Sequence, residues 1–260
     1  MILQDLHMHT VFSDGKNTPE EMVLETVRRG FHTVGISDHS SGDPCGMTLA
    51  ESVNYRAEIA RLKDKYAGRI RVLCGLERDF LTDDFSEYDY TIGSVHWLPM
   101  PDGHRVSIDW TAEKLREGAS KYFGGDMIAL AEAYYETVSR VAEVTKCDIL
   151  GHFDLVSKFI EKDPSFDLQD PRYVKAWQNA ADILLRTGKP FEINTGAISR
   201  GYRTSPYPSA EIRQYIRDRG GKLILSSDAH DRDRIAFAFD SYADEAQGWE
   251  ESGLGKLLRG

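Results

Sequence analysis

A chain of 260 residues that is 41% hydrophobic, with four Trp, twelve Tyr and eleven Phe, can bury a large core, and its length suits one α/β barrel as well as two smaller domains. Its formal net charge of -10 argues against a nucleic-acid backbone as the main partner, because affinity for backbone phosphates comes largely from Lys and Arg. Cys45, Cys74 and Cys147 are odd in number and form no CxxC pair, which argues against a disulfide framework or a thiolate zinc site and leaves them as small buried residues.

Residues 2–9 read as a first strand, entered without a basic and apolar leader, and no 18-residue apolar run follows anywhere; a soluble cytoplasmic protein without a membrane partner is expected. Thr18-Pro19-Glu20-Glu21 combines a cap, a first-turn proline and a capping-box glutamate, opening a helix that Gly30 ends. A second strand is expected at 33–37, a long helix capped by Thr48 and Glu51 to about Tyr66, and a third strand at 70–76. Residues 90–96 read as the fourth strand, 99–109 as a polar loop, 111–123 and 126–145 as helical, and 148–152 as the fifth strand. A helix from Asp170-Pro171 to Thr187, a strand at 190–194, a long loop at 196–208, a helix at 209–219, a strand at 223–227 and a last helix within 240–260 complete the pattern. Seven βα units without a linker favour one domain over residues 1–260.

Residues that bind divalent metals recur at the downstream ends of six of these strands. They are His7 and His9, His39, Glu77, His96, His152, and Asp228 with His230, and Asp14 lies in the loop after the first strand. In a βα barrel such positions converge on one face however far apart they lie in the chain. His7 and His9 share one side of their strand, as do Asp228 and His230. Imidazoles with carboxylates suit Zn, Mn, Fe or Co, and the absence of thiolates favours a catalytic site. Each residue has a plainer reading alone. Asp14 before Gly15 equally suits a turn, His96 and His152 suit hydrogen-bonded core histidines, and Glu77 suits a salt bridge to Arg78; coincidence at six strand ends favours the metal. His32 and His104, in loops, are left out.

His7-Met8-His9-Thr10 with Ser13-Asp14-Gly15, Ser37-Asp38-His39, Gly75-Leu76-Glu77, Gly93-Ser94-Val95-His96, Gly151-His152 and Ser227-Asp228-Ala229-His230, in this order, resemble the polymerase and histidinol phosphatase (PHP) superfamily of metal-dependent phosphoesterases. Gly151-His152-Phe153-Asp154-Leu155 and Glu192-Ile193-Asn194-Thr195 look like its histidinol-phosphatase branch. The resemblance implies a distorted (β/α)7 TIM-like barrel with three divalent transition-metal ions, Zn, Mn or Fe. His7, His9, Glu77 and Asp228 would hold one, Glu77, His96 and His152 a second, and Asp14, His39 and His230 a third; Asp14 stands where some members carry histidine. Glu77, Asp228 and His230 would be the catalytic core of this set.

The implied activity is hydrolysis of L-histidinol phosphate, a small phosphorylated substrate, by a hydroxide that the metals generate from water. Arg200 and Arg203, after the sixth strand, and Lys158, after the fifth, are candidates for the phosphate, against a plainer reading as solvated loop charge. Asp43 and Asp154 could meet a cationic amine or imidazole. Another small phosphate ester or a nucleotide is the alternative substrate. An amidohydrolase-type barrel is disfavoured by the closing Asp228-Ala229-His230, and a non-catalytic scaffold in a replication complex by the acidic charge and the full ligand set.

Overall fold

The computed structural model describes residues 4–259, so the start of the first expected strand, at Ile2 and Leu3, lies outside the described residues. In chain order the strands are β1 (Gln4–Asp5), β2 (Thr33–Ile36), β3 (Arg71–Asp79), β4 (Tyr90–Ser94), β5 (Trp97–Pro99), β6 (Arg105–Ser107), β7 (Ile149–Leu150), β8 (Phe191–Asn194) and β9 (Leu223–Ser226). Seven of them form one parallel sheet in the order β1-β2-β3-β4-β7-β8-β9. A parallel bridge between Met8 and Ala229, with the His9 N–H donating to the Ala229 carbonyl at 2.9 Å, joins the two edges. The result is a nearly closed, distorted (β/α)7 barrel, as expected from the alternation of elements.

The helices are α1 (Pro19–Arg28), α2 (Leu49–Lys65), α3 (Ala112–Phe123), α4 (Met127–Ser139), α5 (Val141–Thr145), α6 (Pro171–Leu185), α7 (Gly196–Ser199), α8 (Ala210–Asp218), α9 (Phe239–Tyr242) and α10 (Gly253–Arg259). Thr18 and Thr48 cap α1 and α2, and in each capping box the Glu21 or Glu51 carboxylate accepts the threonine N–H in return, at 2.8 and 2.9 Å. Met22, Val23, Tyr55, Ile59 and Leu62 on these helices are buried against Val34, Ile36, Val72 and Leu76 of β2 and β3. Full burial of such side chains contributes about 1.5–3 kcal/mol each before conformational entropy is subtracted. None of the helices among the described residues is long and apolar enough to cross a membrane.

Inside the barrel, Leu6, Leu73, Tyr90, Ile92, Ile149 and Ile224 form a small core of their own. Tyr90 crosses the barrel to reach the Leu6 carbonyl, and its ring lies so near Gly35 and Gly75 that a Cβ on either would collide with it. These glycines are required by close approach rather than by a turn.

Three segments depart from the sequence reading. The polar loop expected at 99–109 contains β6 and the end of β5, which pair as an antiparallel hairpin with Trp97 opposite Ser107. The helix expected over 126–145 is interrupted at Arg140, whose N–H turns to Thr137 three residues back. The 196–208 loop opens with α7 and returns to the sheet where Tyr207 bridges Asn194.

Candidate metal centre

The barrel's strands deliver their polar residues to one end. His7 and His9 follow β1, His39 follows β2, Glu77 lies in the last turn of pleat of β3, and His96, His152 and Asp228 follow β4, β7 and β9. Asp14 is carried by a loop that Asp38 fastens, accepting hydrogen bonds from the Thr10 N–H at 2.7 Å, the Thr10 hydroxyl at 2.7 Å and the Ser13 hydroxyl at 2.6 Å. Asp228 adopts a left-handed backbone, φ 51°, which aspartate tolerates better than most residues.

Three groups result. In the first, Glu77 Oε2 lies 3.2 Å from His7 Nε2 and 3.5 Å from His9 Nε2, and Asp228 Oδ1 lies 3.3 Å from His9 Nε2. In the second, Glu77 Oε1 lies 2.9 Å from His152 Nε2 and 3.5 Å from His96 Nε2, and those two nitrogens are 3.1 Å apart. In the third, Asp14 approaches His230 Nε2 at 3.1 Å, His39 Nε2 at 3.7 Å and His9 Nδ1 at 3.8 Å. The two oxygens of Glu77 thus serve different groups, and the two nitrogens of His9 do the same.

These residues fit divalent cations. His7 Nε2, both His9 nitrogens, His39 Nδ1 and Glu77 Oε2 are buried without a hydrogen-bond partner, a costly arrangement for polar atoms unless a cation gathers them. Burial holds the His9 imidazole down to about 3, helped by His230 and His39. His7 is held well above its ordinary value because Glu192, Glu77 and Asp228 outweigh burial. Glu77, buried but ringed by His7, His39 and His96, stays ionised well below the usual carboxylate range.

The groups open onto a cavity of about 250 Å³. It is also lined by Trp97, Trp110, Asp109, Lys158, Arg200 and Tyr202. Lys158 Nζ donates to Asp109 Oδ2 at 3.0 Å and lies 4.7 Å from the centre of the Tyr202 ring. Arg200 donates to Asp228 Oδ2 at 2.9 Å and lies 3.0 Å from His230 Nδ1.

Arg203 sits elsewhere than the sequence reading expects. It is buried, donates to Asp154 Oδ2 at 3.2 Å and to the Ser157 hydroxyl at 3.0 Å, and lies over the Tyr207 ring, outside the residues that line the cavity. Asp154 needs a counter-charge once buried, and the loop folds inward to supply it. Asp154 is thereby occupied, whereas Asp43 does line the cavity, its Oδ2 accepting from Trp97 Nε1 at 3.0 Å.

Several polar neighbours were given no site role from the sequence, although Ser94 and Glu192 fall within the motifs quoted there. Ser94 donates to Glu77 Oε1 at 2.6 Å, Asp79 Oδ2 accepts from the His96 N–H at 2.9 Å and lies 3.3 Å from its Nδ1, and Glu192 Oε1 lies 2.6 Å from His7 Nδ1. An acidic residue set in an apolar strand, as in Phe191-Glu192-Ile193, is the signal that marks Glu192, the same signal that marks Glu77.

Residues 5–196 match the PHP domain. The chain belongs to the PHP family. A Deinococcus radiodurans protein named a probable histidinol-phosphatase is 30% identical over 255 residues that cover 91% of this chain and 90% of that protein. Among solved structures, HisK of Listeria monocytogenes aligns with a TM-score of 0.78 at 24% identity over 92% of this chain and 99% of its own. Histidinol phosphate phosphatase of Lactococcus lactis, solved with zinc, L-histidinol and phosphate, aligns with a TM-score of 0.70 at 20% identity over 96% and 93%. At these identities the two structures establish the common PHP fold.

Proposed function

We propose that this PHP protein is a metal-dependent phosphomonoesterase that hydrolyses L-histidinol phosphate to L-histidinol and phosphate. The observation that carries the chemistry is the split of the Glu77 carboxylate, whose oxygens lie 3.2 Å from His7 Nε2 and 2.9 Å from His152 Nε2 in adjacent groups. The choice of substrate is supported by the likeness to the Deinococcus radiodurans relative, which covers 91% of this chain and 90% of that protein.

His7, His9, Glu77 and Asp228 would hold one ion, Glu77, His96 and His152 a second, and Asp14, His39 and His230 a third, with Zn, Mn or Fe suited to this nitrogen and oxygen set. Bound ions would supply Lewis acidity, lowering the pKa of water to about 7 and offsetting charge on phosphoryl oxygens. Arg200, now held by Asp228, presents a guanidinium fork on the cavity wall that matches phosphate oxygens, and Lys158 adds a point charge. Trp97 and Trp110 line the same cavity.

The test is a phosphatase panel on protein reconstituted separately with zinc, manganese and iron, comparing histidinol phosphate with sugar phosphates, nucleotides and a chromogenic ester. Histidinol phosphate should give the highest kcat/KM. A higher value for another ester would refute the substrate, and full turnover in rigorously metal-free protein would refute the mechanism.

A further inference from the structure

We propose that Glu192 is the positioning residue that orients the ligands of two metal groups at once, an inference that rests on the metal centre described above. Glu192 lies inside β8, where its side chain is fully buried, and its only ion-pair partner among the described residues is His7. One oxygen, Oε1, lies 2.6 Å from His7 Nδ1. The other, Oε2, accepts from the His152 backbone N–H at 3.0 Å and from Asn194 Nδ2 at 3.2 Å. Asn194 in turn reaches Asp228 Oδ2 at 3.3 Å, and its own orientation is set by the Gly196 N–H, which donates to Asn194 Oδ1 at 2.9 Å.

These contacts have a direct chemical consequence. A carboxylate only accepts, so His7 must donate from Nδ1, and in the neutral ring that binds a metal the lone pair is then on Nε2. Nε2 is the His7 atom that faces Glu77 and Asp228, and it has no hydrogen-bond partner among the described residues. The same carboxylate anchors the backbone of His152, whose Nε2 belongs to the neighbouring group 2.9 Å from Glu77 Oε1. Glu192 therefore sets the tautomer of a ligand in the first group and the main-chain position of a ligand in the second. Partners that fix a metal-bound histidine in this manner typically change metal affinity by roughly 10- to 100-fold when removed.

Glutamine is the discriminating substitution. It has nearly the same shape, but one end of its amide accepts and the other donates. With its oxygen toward His7, its NH2 faces the His152 N–H and Asn194 Nδ2; with its oxygen toward His152, its NH2 faces the His7 Nδ1 proton. Either orientation sets a donor against a donor.

The experiment titrates metal-free wild type and Glu192→Gln with Zn(II) in competition with a chelator of known affinity. Zinc affinity should fall roughly 10- to 100-fold at two sites in the variant, beyond any loss of metal-free Tm from the buried donor pair. A residue that served stability alone would lower the metal-free Tm and leave zinc affinity unchanged. Wild-type affinity in Glu192→Gln, beside a wild type that binds zinc, overturns this inference alone; a wild type that takes up no zinc overturns the metal centre and this inference together. Should the variant not fold, nitrogen-15 histidine NMR of the zinc-loaded wild type decides: His7 should be protonated at Nδ1 and metal-bound at Nε2, and the reverse pattern refutes the role of Glu192.

Discussion

The Glu77 carboxylate turns one oxygen to each of two groups, 3.2 Å from His7 Nε2 and 2.9 Å from His152 Nε2, so the proposed chemistry leans on this one side chain. Glu77→Ala should therefore reduce bound metal and lower kcat/KM by at least about 100-fold, since a cation supplies several kcal/mol of charge stabilisation. Metal analysis with kinetics checks this, and unchanged metal content would remove Glu77 from the bridging role. The two arginines of the 196–208 loop should respond differently. Arg200→Ala, on the cavity wall, should raise KM if its fork grips phosphate equally in ground and transition states, and lower kcat as well if the grip tightens as the bond breaks. Arg203→Ala should instead cost about 3–5 kcal/mol of folding stability by stranding the buried Asp154 carboxylate. Chemical denaturation and Michaelis kinetics on both variants separate these outcomes. Most ligand candidates were legible in the sequence because they recur at the ends of six expected strands, whereas Asp14, in a loop before Gly15, reads equally as a turn residue. Arg203 was not, since a guanidinium facing phosphate and one neutralising a buried aspartate look alike in a string of letters.

At the scale of elements, local chemistry was read well wherever the signal was local. The capping boxes at Thr18 and Thr48 and the Asp170-Pro171 helix start all stand in the structure. The β5–β6 hairpin escaped because its strands are three residues each and joined through polar residues, too short for a period of two to emerge. Helix α1 also offers a pH test. Glu25 is held down to about 2 by Arg28, against partial burial and with help from Arg29. A carboxylate with a depressed folded pKa stabilises above its unfolded value of about 4.3 and loses that contribution as pH falls through the folded value. The denaturation midpoint of metal-free Glu25→Gln should lie below wild type at pH 6 and converge with it near pH 2. The difference should be under about 1 kcal/mol because Arg28 is well exposed. A constant gap across that range would refute the ion-pair account.

At the scale of the whole molecule, the barrel and its metals should be thermodynamically linked. Buried atoms such as His9 Nε2 and Glu77 Oε2 lack protein partners, so an ion that gathers them stabilises the folded state over the unfolded one. Zinc at 100 times its dissociation constant should add roughly 2.7 kcal/mol per site, visible as a concentration-dependent rise in Tm that chelation reverses. Equal Tm values with and without metal would contradict that linkage. Barrel architecture itself was legible from the alternation of strands and helices, but the closure was not: the Met8–Ala229 bridge joins residues with no pattern in common.

That closure has a consequence for synthesis. The first group draws on positions 7, 9, 77 and 228, so it remains incomplete until residue 228 has left the ribosome. An ion held by all four would be acquired only after β9 has docked beside β1, because a growing chain presents only fragments of the group. A piece ending at residue 196, where the PHP match ends, would carry His7, His9 and Glu77 but neither Asp228 nor His230.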